Sequence, residues 1–319
     1  GLCAGTAAMI ACMADVVIMT EKSELFMTAP FTADDKTAGA GTAENAAKSG
    51  VAAILAKDSD EAIAKAKQLL SVLPANNLET AGNDYYMEND ATVSADLKGT
   101  DLINAVADKE SVIELYKQFG TSAVTALASL NWRTVGFVGT NNGTKLTAQD
   151  SAKIARFVTL CDAYSIPVVT FVDSEGFEKS SAAELAGSIR DSAKLAQAYA
   201  SATTAKIAVV TGKAYGSAYV ALASTAAGSD FTFAWENAVI APTTPEAAVV
   251  FLNGVSEDNA KQAQEYAENE ADAFTAAANG YVDRVITADD TKSALTSAIE
   301  ATSSKRVVAP AKKHVNFVY

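Results

Sequence analysis

Histidine is nearly absent from the chain, and cysteine is scarce. The one histidine is His314, and the three cysteines are Cys3, Cys12 and Cys161. A Ser-His-Asp or Cys-His site needs an internal imidazole as its base, so neither kind of nucleophilic site is expected. The cysteines lack the spacing of a zinc site, and so few of them are typical of a reducing cytosol. We therefore predict a cytoplasmic protein with no metal in this chain.

Basic residues and long apolar runs are also lacking. Lys and Arg number 25 against 38 Asp and Glu, which gives a formal net charge of -13. Nucleic-acid phosphates require clustered positive charge, so no nucleic-acid partner is expected. No apolar run reaches the ~18 residues that indicate a membrane span. The 319 residues, 49% of them hydrophobic and 20% charged, predict a globular protein with a large core.

The most informative stretch is KIAVVTGKAYGSAYV, residues 206–220. Its apolar beginning predicts a buried strand, Gly212 and Gly216 are expected to bracket a tight turn, and the small residues from Ser217 predict a helix. The first amides of a helix have no intrahelical partner and lie at its positive end, so they can hold an anion or an oxyanion. The alternative is an ordinary structural turn of an α/β protein.

The beginning of the chain contains a second copy of this pattern. Residues 1–11, GLCAGTAAMIA, place Gly5 before small residues, and a predicted strand, DVVIM, follows at 15–19. About 210 residues later, the helix after Gly216 leads to DFTFA at 230–234. Turn, small-residue helix, aspartate and strand thus occur twice in the same order. We interpret this repeat as two related halves, each with an amide-lined pocket.

Strands alternate with helices in the region between these two copies. Predicted strands at 134–138, 167–172 and 206–211 alternate with helices at 147–164 and 182–202, which indicates βαβ units. One long helix is predicted at 258–278. Asp173 and Glu175 follow the second strand, where a solvated turn is the preferred interpretation and a role as general acid or base is the alternative.

Longer strings of the sequence resemble the carboxyltransferase subunits of biotin-dependent acyl-CoA carboxylases and decarboxylases. The matching strings are GLCAGTA (1–7), ARFVTLCDAYSIPVVTFVDSEGF (155–177), GKAYGSAY (212–219), FAWENAVIA (233–241), GYVDRVI (280–286) and KRVVAPAKKH (305–314). They follow one another in the order found in that family, and the resemblance covers essentially the whole chain.

The resemblance implies an α/β fold of the crotonase-like (ClpP/crotonase) type, a ββα superhelix with two related halves. The first half is expected to be incomplete, because roughly the first third of a full-length subunit is missing by this comparison. Residues 1–78 would then be the remnant of the acyl-CoA domain, 79–99 a linker, and 100–319 the biotin domain.

The family's chemistry explains why no catalytic histidine is needed. The resemblance implies that N1 of biotin removes the proton from the acyl α-carbon. Gly5 and Thr6 would hold the enolate oxygen of the thioester, and Ser217 and Ala218 would hold the ureido oxygen of biotin.

Further residues of the biotin and acyl pockets are carried over in the same way. Gly176, Phe177, Gly216 and Tyr219 would line the biotin pocket, and Val220 would shape the acyl pocket. The chain also departs from the family pattern, with Thr6 and Ser217 at positions that are often glycine. Glu236 and the string APTTP at 241–245 are further departures near the biotin side.

The implied activity is carboxyl transfer between carboxybiotin and a short-chain acyl-CoA of the acetyl-, propionyl/methylmalonyl- or glutaconyl-CoA class. No biotin-attachment signature is present, so a biotin carboxyl carrier protein is an expected partner. Biotin carboxylase or a membrane decarboxylase subunit is the second expected partner. The complete protein itself is expected to form a homo-hexamer. Two alternatives remain: a crotonase-like hydratase or isomerase, and an inactive or structural paralogue.

Overall fold

A computed structural model describes residues 1–30, 32, 39–76, 79, 87–140 and 145–308, and the fold is mixed α/β. The strands of the described residues are β1 (Leu2–Ala4), β2 (Ile18–Thr20), β3 (Glu24–Phe26), β4 (Ile54–Ala56), β5 (Ile113–Leu115), β6 (Ala123–Leu130), β7 (Arg133–Thr140), β8 (Val168–Ser174), β9 (Lys206–Tyr215), β10 (Phe231–Trp235), β11 (Val239–Ala241) and β12 (Arg284–Ile286).

The helices are given in the same way, again for the described residues. They are α1 (Thr6–Ala11), α2 (Ala43–Lys48), α3 (Ser59–Val72), α4 (Gly99–Val106), α5 (Ala148–Ala163), α6 (Ser181–Ala186), α7 (Ser188–Ser201), α8 (Ser217–Leu222), α9 (Pro245–Asn253), α10 (Asn259–Asn269), α11 (Ala273–Ala278) and α12 (Thr291–Ala301), with a 3₁₀ turn at Thr225–Ala227.

An eight-stranded sheet forms the centre of the fold. Its order is β12–β10–β9–β8–β7–β6–β5, and β11 pairs with the last residues of β9. The strands from β7 to β12 pair in parallel, whereas β5, β6 and β7 form antiparallel pairs. Every residue of β6 and β8 is buried, as expected for strands that helices cover on both faces.

The two faces of the sheet are covered by different helices. Residues of α5 and α7, such as Phe157 and Leu195, share one buried cluster with Val210 of β9. Residues of α4 and α12, such as Leu102 and Leu295, pack with Phe171 of β8 on the other face. Buried side chains on both faces of the sheet therefore support the carboxyl ends of β8 and β9.

The helix predicted at 147–164 is confirmed as α5, whose cap is formed by neighbouring residues. Thr147 caps α5 by accepting the N–H of Asp150, and Asp150 returns a bond to the Thr147 backbone, which is a capping box. Two predicted helix lengths were wrong. Gly187 adopts φ 81° and divides the helix predicted at 182–202 into α6 and α7. Asp272 caps a new helix, so the one predicted at 258–278 is α10 followed by α11.

The predicted repeat is present in the fold. Parallel pairs β1–β3 and β2–β4 at the start of the chain correspond to β9–β11 and β10–β12 near its end. A short antiparallel bridge joins Glu24 to Thr42 in the first copy and Val239 to Asp272 in the second. Thr42 and Asp272 each cap the helix that follows, α2 or α11. The two halves thus share strand order, pairing and capping.

The division at residues 78 and 99 stays a prediction. Within the predicted linker, Glu79 and residues 87–99 are described, while 80–86 lie outside the described residues. Its described part is packed: Val93 is buried, and the Asn89 side chain donates to the Ala107 carbonyl. Within the described ranges, no helix combines the length and apolar character that a bilayer crossing requires.

Candidate active site

Gly216 turns the chain from β9 into α8. Its φ and ψ are 55° and -127°, a region that essentially only glycine adopts. Its N–H donates to the carbonyl of Ala241 at 2.9 Å, and a Cβ added to Gly216 would lie 2.9 Å from the Pro242 carbonyl oxygen. The departure at 241–245 thus forms the base of this turn, where Thr244 and Pro245 begin α9.

Gly5 makes the equivalent turn between β1 and α1. Its φ and ψ are 58° and -131°, within a few degrees of the angles at Gly216. Its N–H donates to the carbonyl of Phe26 at 2.9 Å, the last residue of β3, as Gly216 does to the last residue of β11. The two predicted sites are therefore the same local structure, built twice.

The helices that follow both turns begin without a side-chain cap. Their first amides, from Thr6 in α1 and from Ser217 in α8, have no intrahelical acceptor because of their position. Thr6 and Ser217 are exposed, whereas Ala218 is fully buried beneath the turn. Backbone amides arranged in this way can stabilise negative charge on a ligand oxygen.

The loop after β8 lies beside the Gly216 turn. Gly176 has φ 107°, and a Cβ placed on it would be 3.8 Å from the carbonyl oxygen of Tyr215. Ser174 exchanges hydrogen bonds with the backbone of Gly176, and the N–H of Leu146 donates to the Gly176 carbonyl at 2.9 Å. Phe177, which follows, bridges to Leu146. The structure thus brings Gly176 and Gly216 together, as their assignment to one pocket requires.

The remaining two predicted residues lie on α8. The hydroxyl of Tyr219 donates to the carbonyl of Tyr281 at 2.6 Å, and burial raises the pKa of that phenol to about 12. The two tyrosine rings meet edge to face, with their centroids 6.5 Å apart. Val220 is 51% exposed, next to the first turn of the helix. Tyr219 therefore fixes α8 to the turn at 280–281, and its hydroxyl is already used.

Two sequence interpretations at the end of β8 were wrong. Gly212 does not bracket the turn, because β9 continues as a strand to Tyr215. Asp173 is not solvated: it is 3% exposed, and its carboxylate binds the ammonium of Lys98 at 2.6 Å and the N–H of Lys213 at 2.9 Å. Glu175 is more exposed and pairs with the Lys213 ammonium at 2.7 Å.

Lys98, which no sequence pattern indicates, reaches Asp173 from the start of α4. The contact joins residues 75 positions apart, so no local pattern could reveal it. A glycine inside a strand pattern is a signal for a bulge, and Gly212 could have been read in that way. His314 lies outside the described residues. Among those that are described, no group of three or more His, Cys, Asp or Glu side chains could hold a metal ion.

The chain is similar to known proteins over almost its whole length. The family model for the carboxyl transferase domain matches residues 1–317. The chain is 36% identical to the methylmalonyl-CoA carboxyltransferase 12S subunit of Propionibacterium freudenreichii subsp. shermanii, covering 99% of this chain and 66% of that protein. It is 34% identical to the methylmalonyl-CoA decarboxylase subunit alpha of Veillonella parvula, covering 99% and 67%.

A mitochondrial protein and a solved structure give the same result. Identity to the propionyl-CoA carboxylase beta chain of Rattus norvegicus is 34%, over 99% of this chain and 63% of the relative. The crystal structure of transcarboxylase 12S, a hexamer with methylmalonyl-coenzyme A and methylmalonic acid bound, superposes with a TM-score of 0.90 at 35% identity. That match covers all of this chain and 67% of the 12S chain.

The chain thus spans about two thirds of the length of the relatives that it matches. Over that span, the family model, the sequence relatives and the superposed fold agree with one another. The chain belongs to the carboxyl transferase domain family and has its crotonase-like fold.

Proposed function

We propose that this protein transfers a carboxyl group between carboxybiotin, carried on a partner protein, and the α-carbon of a short-chain acyl-CoA. The observation that carries the proposal is the pair of turns at Gly5 and Gly216, which have the same backbone angles and each open an uncapped helix. Carboxyl transfer requires charge stabilisation at two oxygens, one on each reactant. Two equivalent amide sites match that requirement.

Each turn has a separate role in this proposal. The amide of Thr6 stabilises the thioester oxygen of the acyl-CoA as it becomes an enolate. The N–H of Gly5, for which the same role is expected from the sequence, is already bonded to the Phe26 carbonyl, so Gly5 contributes by shaping the turn. The amides at Ser217 and Ala218 bind the ureido oxygen of biotin. Fixed amides of this kind are effective because they need no reorganisation when charge develops, and losing one donor typically costs ~10²–10³ in rate.

In this proposal the small, neutral ring of biotin lies against the residues around Gly216. The exposed first residue of α8 leaves the turn open, while the Gly176 loop beside Tyr215 forms one wall. Biotin supplies the carboxyl group and the base when it is bound. The chain supplies the amides and the wall, and Tyr219 contributes its ring or backbone because its hydroxyl is bonded to Tyr281.

Methylmalonyl-CoA or propionyl-CoA is the substrate that we favour. The relatives named above carry these substrates in their names, and the solved 12S structure contains methylmalonyl-coenzyme A. Acetyl- and glutaconyl-CoA belong to the same class and stay open, as does the direction of transfer. Val220, half exposed beside the Gly216 turn, is the proposed determinant of acyl-chain preference.

The proposal includes an assembly. A biotin carboxyl carrier protein brings the biotin, and biotin carboxylase or a membrane decarboxylase subunit is the second partner. The complete protein forms a homo-hexamer, as transcarboxylase 12S does in its crystal structure, and works in the cytoplasm. An inactive or structural paralogue is the competing candidate, because Thr6 and Ser217 add side chains at the mouths of both turns.

Biocytin-dependent decarboxylation of malonyl-CoA and methylmalonyl-CoA tests the proposal. The assay uses the longest natural form of the protein and follows loss of the free carboxylate with and without biocytin. We expect turnover only with biocytin, and we expect Ala218→Trp to abolish it because the new ring must displace the turn. Binding of CoA without biocytin-dependent turnover of either substrate would favour another acyl chain, such as glutaconyl-CoA, or the inactive paralogue. Hydration or isomerisation of an enoyl-CoA without biocytin would favour the hydratase or isomerase.

A further inference from the structure

The pairing of β8 with β9 is irregular just before the Gly216 turn. The two strands pair residue for residue from Val168 with Lys206 to Val172 with Val210, and pairing resumes at Ser174 with Ala214. Between these points β8 advances by two residues and β9 by four. The extra residues of β9 form a bulge that lies three residues before Gly216. Bulges redirect the strand that carries them and are frequent beside active sites.

The Asp173 carboxylate fills this bulge. One of its oxygens, Oδ1, accepts the N–H of Lys213 at 2.9 Å, a residue that pairs with Val239 of β11 but has no partner on β8 where the β8–β9 pairing is interrupted. The N–H of Asp173 itself donates to the Thr140 hydroxyl of β7 at 2.6 Å. A side chain thus replaces the missing backbone acceptor and connects the bulge to two neighbouring strands.

Gly212 makes room for that carboxylate. A Cβ at this position would overlap the Asp173 side chain, only 2.6 Å from its Cγ. The φ of Gly212 is not in the left-handed region, so the requirement here is space rather than backbone angle. Asp173 and Gly212 therefore form one unit: the carboxylate fits only because Gly212 lacks a side chain, and the carboxylate in turn binds the bulge next to Gly212.

Lys98 completes the unit from the opposite side. Its ammonium lies 2.6 Å from Oδ2 of Asp173, whose side chain is 5% exposed, while the lysine side chain is 36% exposed. A carboxylate this deeply buried requires a partner of opposite charge, because an unpaired buried charge is strongly destabilising. Lys98 precedes α4, which packs across the sheet, so the pair also connects α4 to the end of β8.

We propose that Asp173, held by Lys98, is a positioning residue for the Gly216 turn. It acts through the bulge: the carboxylate sets the path of residues 212–215 and thereby the place at which the first amides of α8 meet biotin. It does not touch the reacting atoms itself. This inference rests on the proposed function, since a position matters for rate only if the turn binds a reactant.

The test compares Asp173→Asn and Lys98→Gln with one substitution in a similar ion pair at the opposite end of β9, where the aspartate is more exposed. Asp230 there accepts the N–H of Lys206 at 2.8 Å and binds the Lys305 ammonium at 2.8 Å, the same two kinds of contact. Asp230→Asn is therefore the control. The readouts are kcat and the KM values for biocytin and for acyl-CoA in biocytin-dependent decarboxylation, and hydrogen exchange of the peptide that covers 213–220.

We expect Asp173→Asn to lower kcat/KM for biocytin by about 10- to 100-fold, because a misplacement of about 1 Å can cost 10²-fold. The KM for acyl-CoA stays within about twofold in this variant, and exchange at 213–220 becomes faster. Lys98→Gln changes a side chain that is 36% exposed, so we expect the same pattern with a smaller effect. This variant provides the test if Asp173→Asn does not fold. Lys98→Arg keeps the positive charge beside Asp173, so we expect it to have the activity that Lys98→Gln loses.

Three other outcomes are informative. Equal kinetics and exchange in Asp173→Asn, Lys98→Gln and Asp230→Asn would overturn the inference. A rise in the KM values for both biocytin and acyl-CoA, together with a lower thermal stability, would also overturn it, since that pattern indicates general unfolding. Absence of biocytin-dependent turnover in the unmodified protein would refute the proposed function instead, and exchange at 213–220 would then decide whether Asp173 holds the turn.

Discussion

Substitution of the two turn glycines by alanine separates backbone strain from steric overlap. Gly5 and Gly216 have nearly equal φ and ψ, and holding a residue other than glycine there costs about 1–3 kcal/mol. A Cβ on Gly5 meets nothing within 4 Å, whereas a Cβ on Gly216 lies 2.9 Å from the Pro242 carbonyl oxygen. We therefore expect Gly5→Ala to lower the free energy of unfolding by about 1–3 kcal/mol.

Gly216→Ala carries the same strain and the overlap in addition. Overpacking typically costs about 1–3 kcal/mol, so the loss in Gly216→Ala should exceed that in Gly5→Ala by about 1 kcal/mol or more. Urea denaturation of the two variants measures this difference, because the strain term cancels. The overlap also displaces the amides of α8, and we expect kcat of carboxyl transfer to fall by about 10²–10³.

Gly254→Ala is the control for a positive φ outside the turns. Gly254 has φ 80° and open space around its Cα, so its substitution should cost stability without changing kcat. Equal stability of Gly5→Ala and Gly216→Ala would refute the steric part of the reasoning. Full activity of a folded Gly216→Ala variant would refute the role of the turn.

Three further predictions concern the core and the proposed acyl pocket. Burial lowers the pKa of Lys153 to about 8, and its ammonium donates to the Ala123 carbonyl at 2.7 Å. Between pH 8 and 10.5 the unfolded chain therefore holds more protons on Lys153 than the folded chain does. The stability of the unmodified protein relative to Lys153→Met should rise across this window by about 3 kcal/mol. A difference that does not change with pH in urea titrations would contradict this. The buried indole of Trp235 donates to the Thr291 hydroxyl at 2.9 Å, so Trp235→Phe should cost about 1–3 kcal/mol in thermal or urea unfolding, and a loss under about 0.5 kcal/mol would show that the bond contributes little. Val220→Ala removes an exposed side chain, so it should leave the melting temperature nearly unchanged while shifting the ratio of kcat/KM for malonyl-CoA over methylmalonyl-CoA; an unchanged ratio would exclude Val220 as a selectivity determinant.

Local signals in the sequence were enough to find α5 and both glycine turns. The capping box at Thr147 and Asp150 begins α5 where the pattern predicts it, since all its contacts lie within four residues. Gly5 and Gly216 were found because small residues follow each glycine, with a predicted strand before Gly216 and a further predicted strand after each small-residue helix. What failed locally was helix length, because Gly187 ends α6 in a left-handed conformation inside an otherwise continuous helical pattern.

A glycine inside a strand is a local signal for the bulge, but the contacts of Asp173 could not be predicted because its partners lie in distant parts of the chain. Its carboxylate is placed by Lys98 from α4 and by the N–H of Lys213 from β9, residues far from Asp173 in sequence. From sequence alone, a glycine and an aspartate near strand ends suggest turns. Only the packed sheet shows that Gly212 is needed for space and that Asp173 is buried.

Ligand-dependent hydrogen exchange tests the central claim, two equivalent turns for two different reactants, most directly. The longest natural form of the protein is measured alone, with saturating methylmalonyl-CoA and with saturating biocytin. We predict that methylmalonyl-CoA slows exchange in the peptide that covers Gly5 to Met9, and that biocytin slows exchange in the peptide that covers Gly216 to Val220. Protection of the Gly5 to Met9 peptide by biocytin, or of neither peptide by either ligand, would contradict the account.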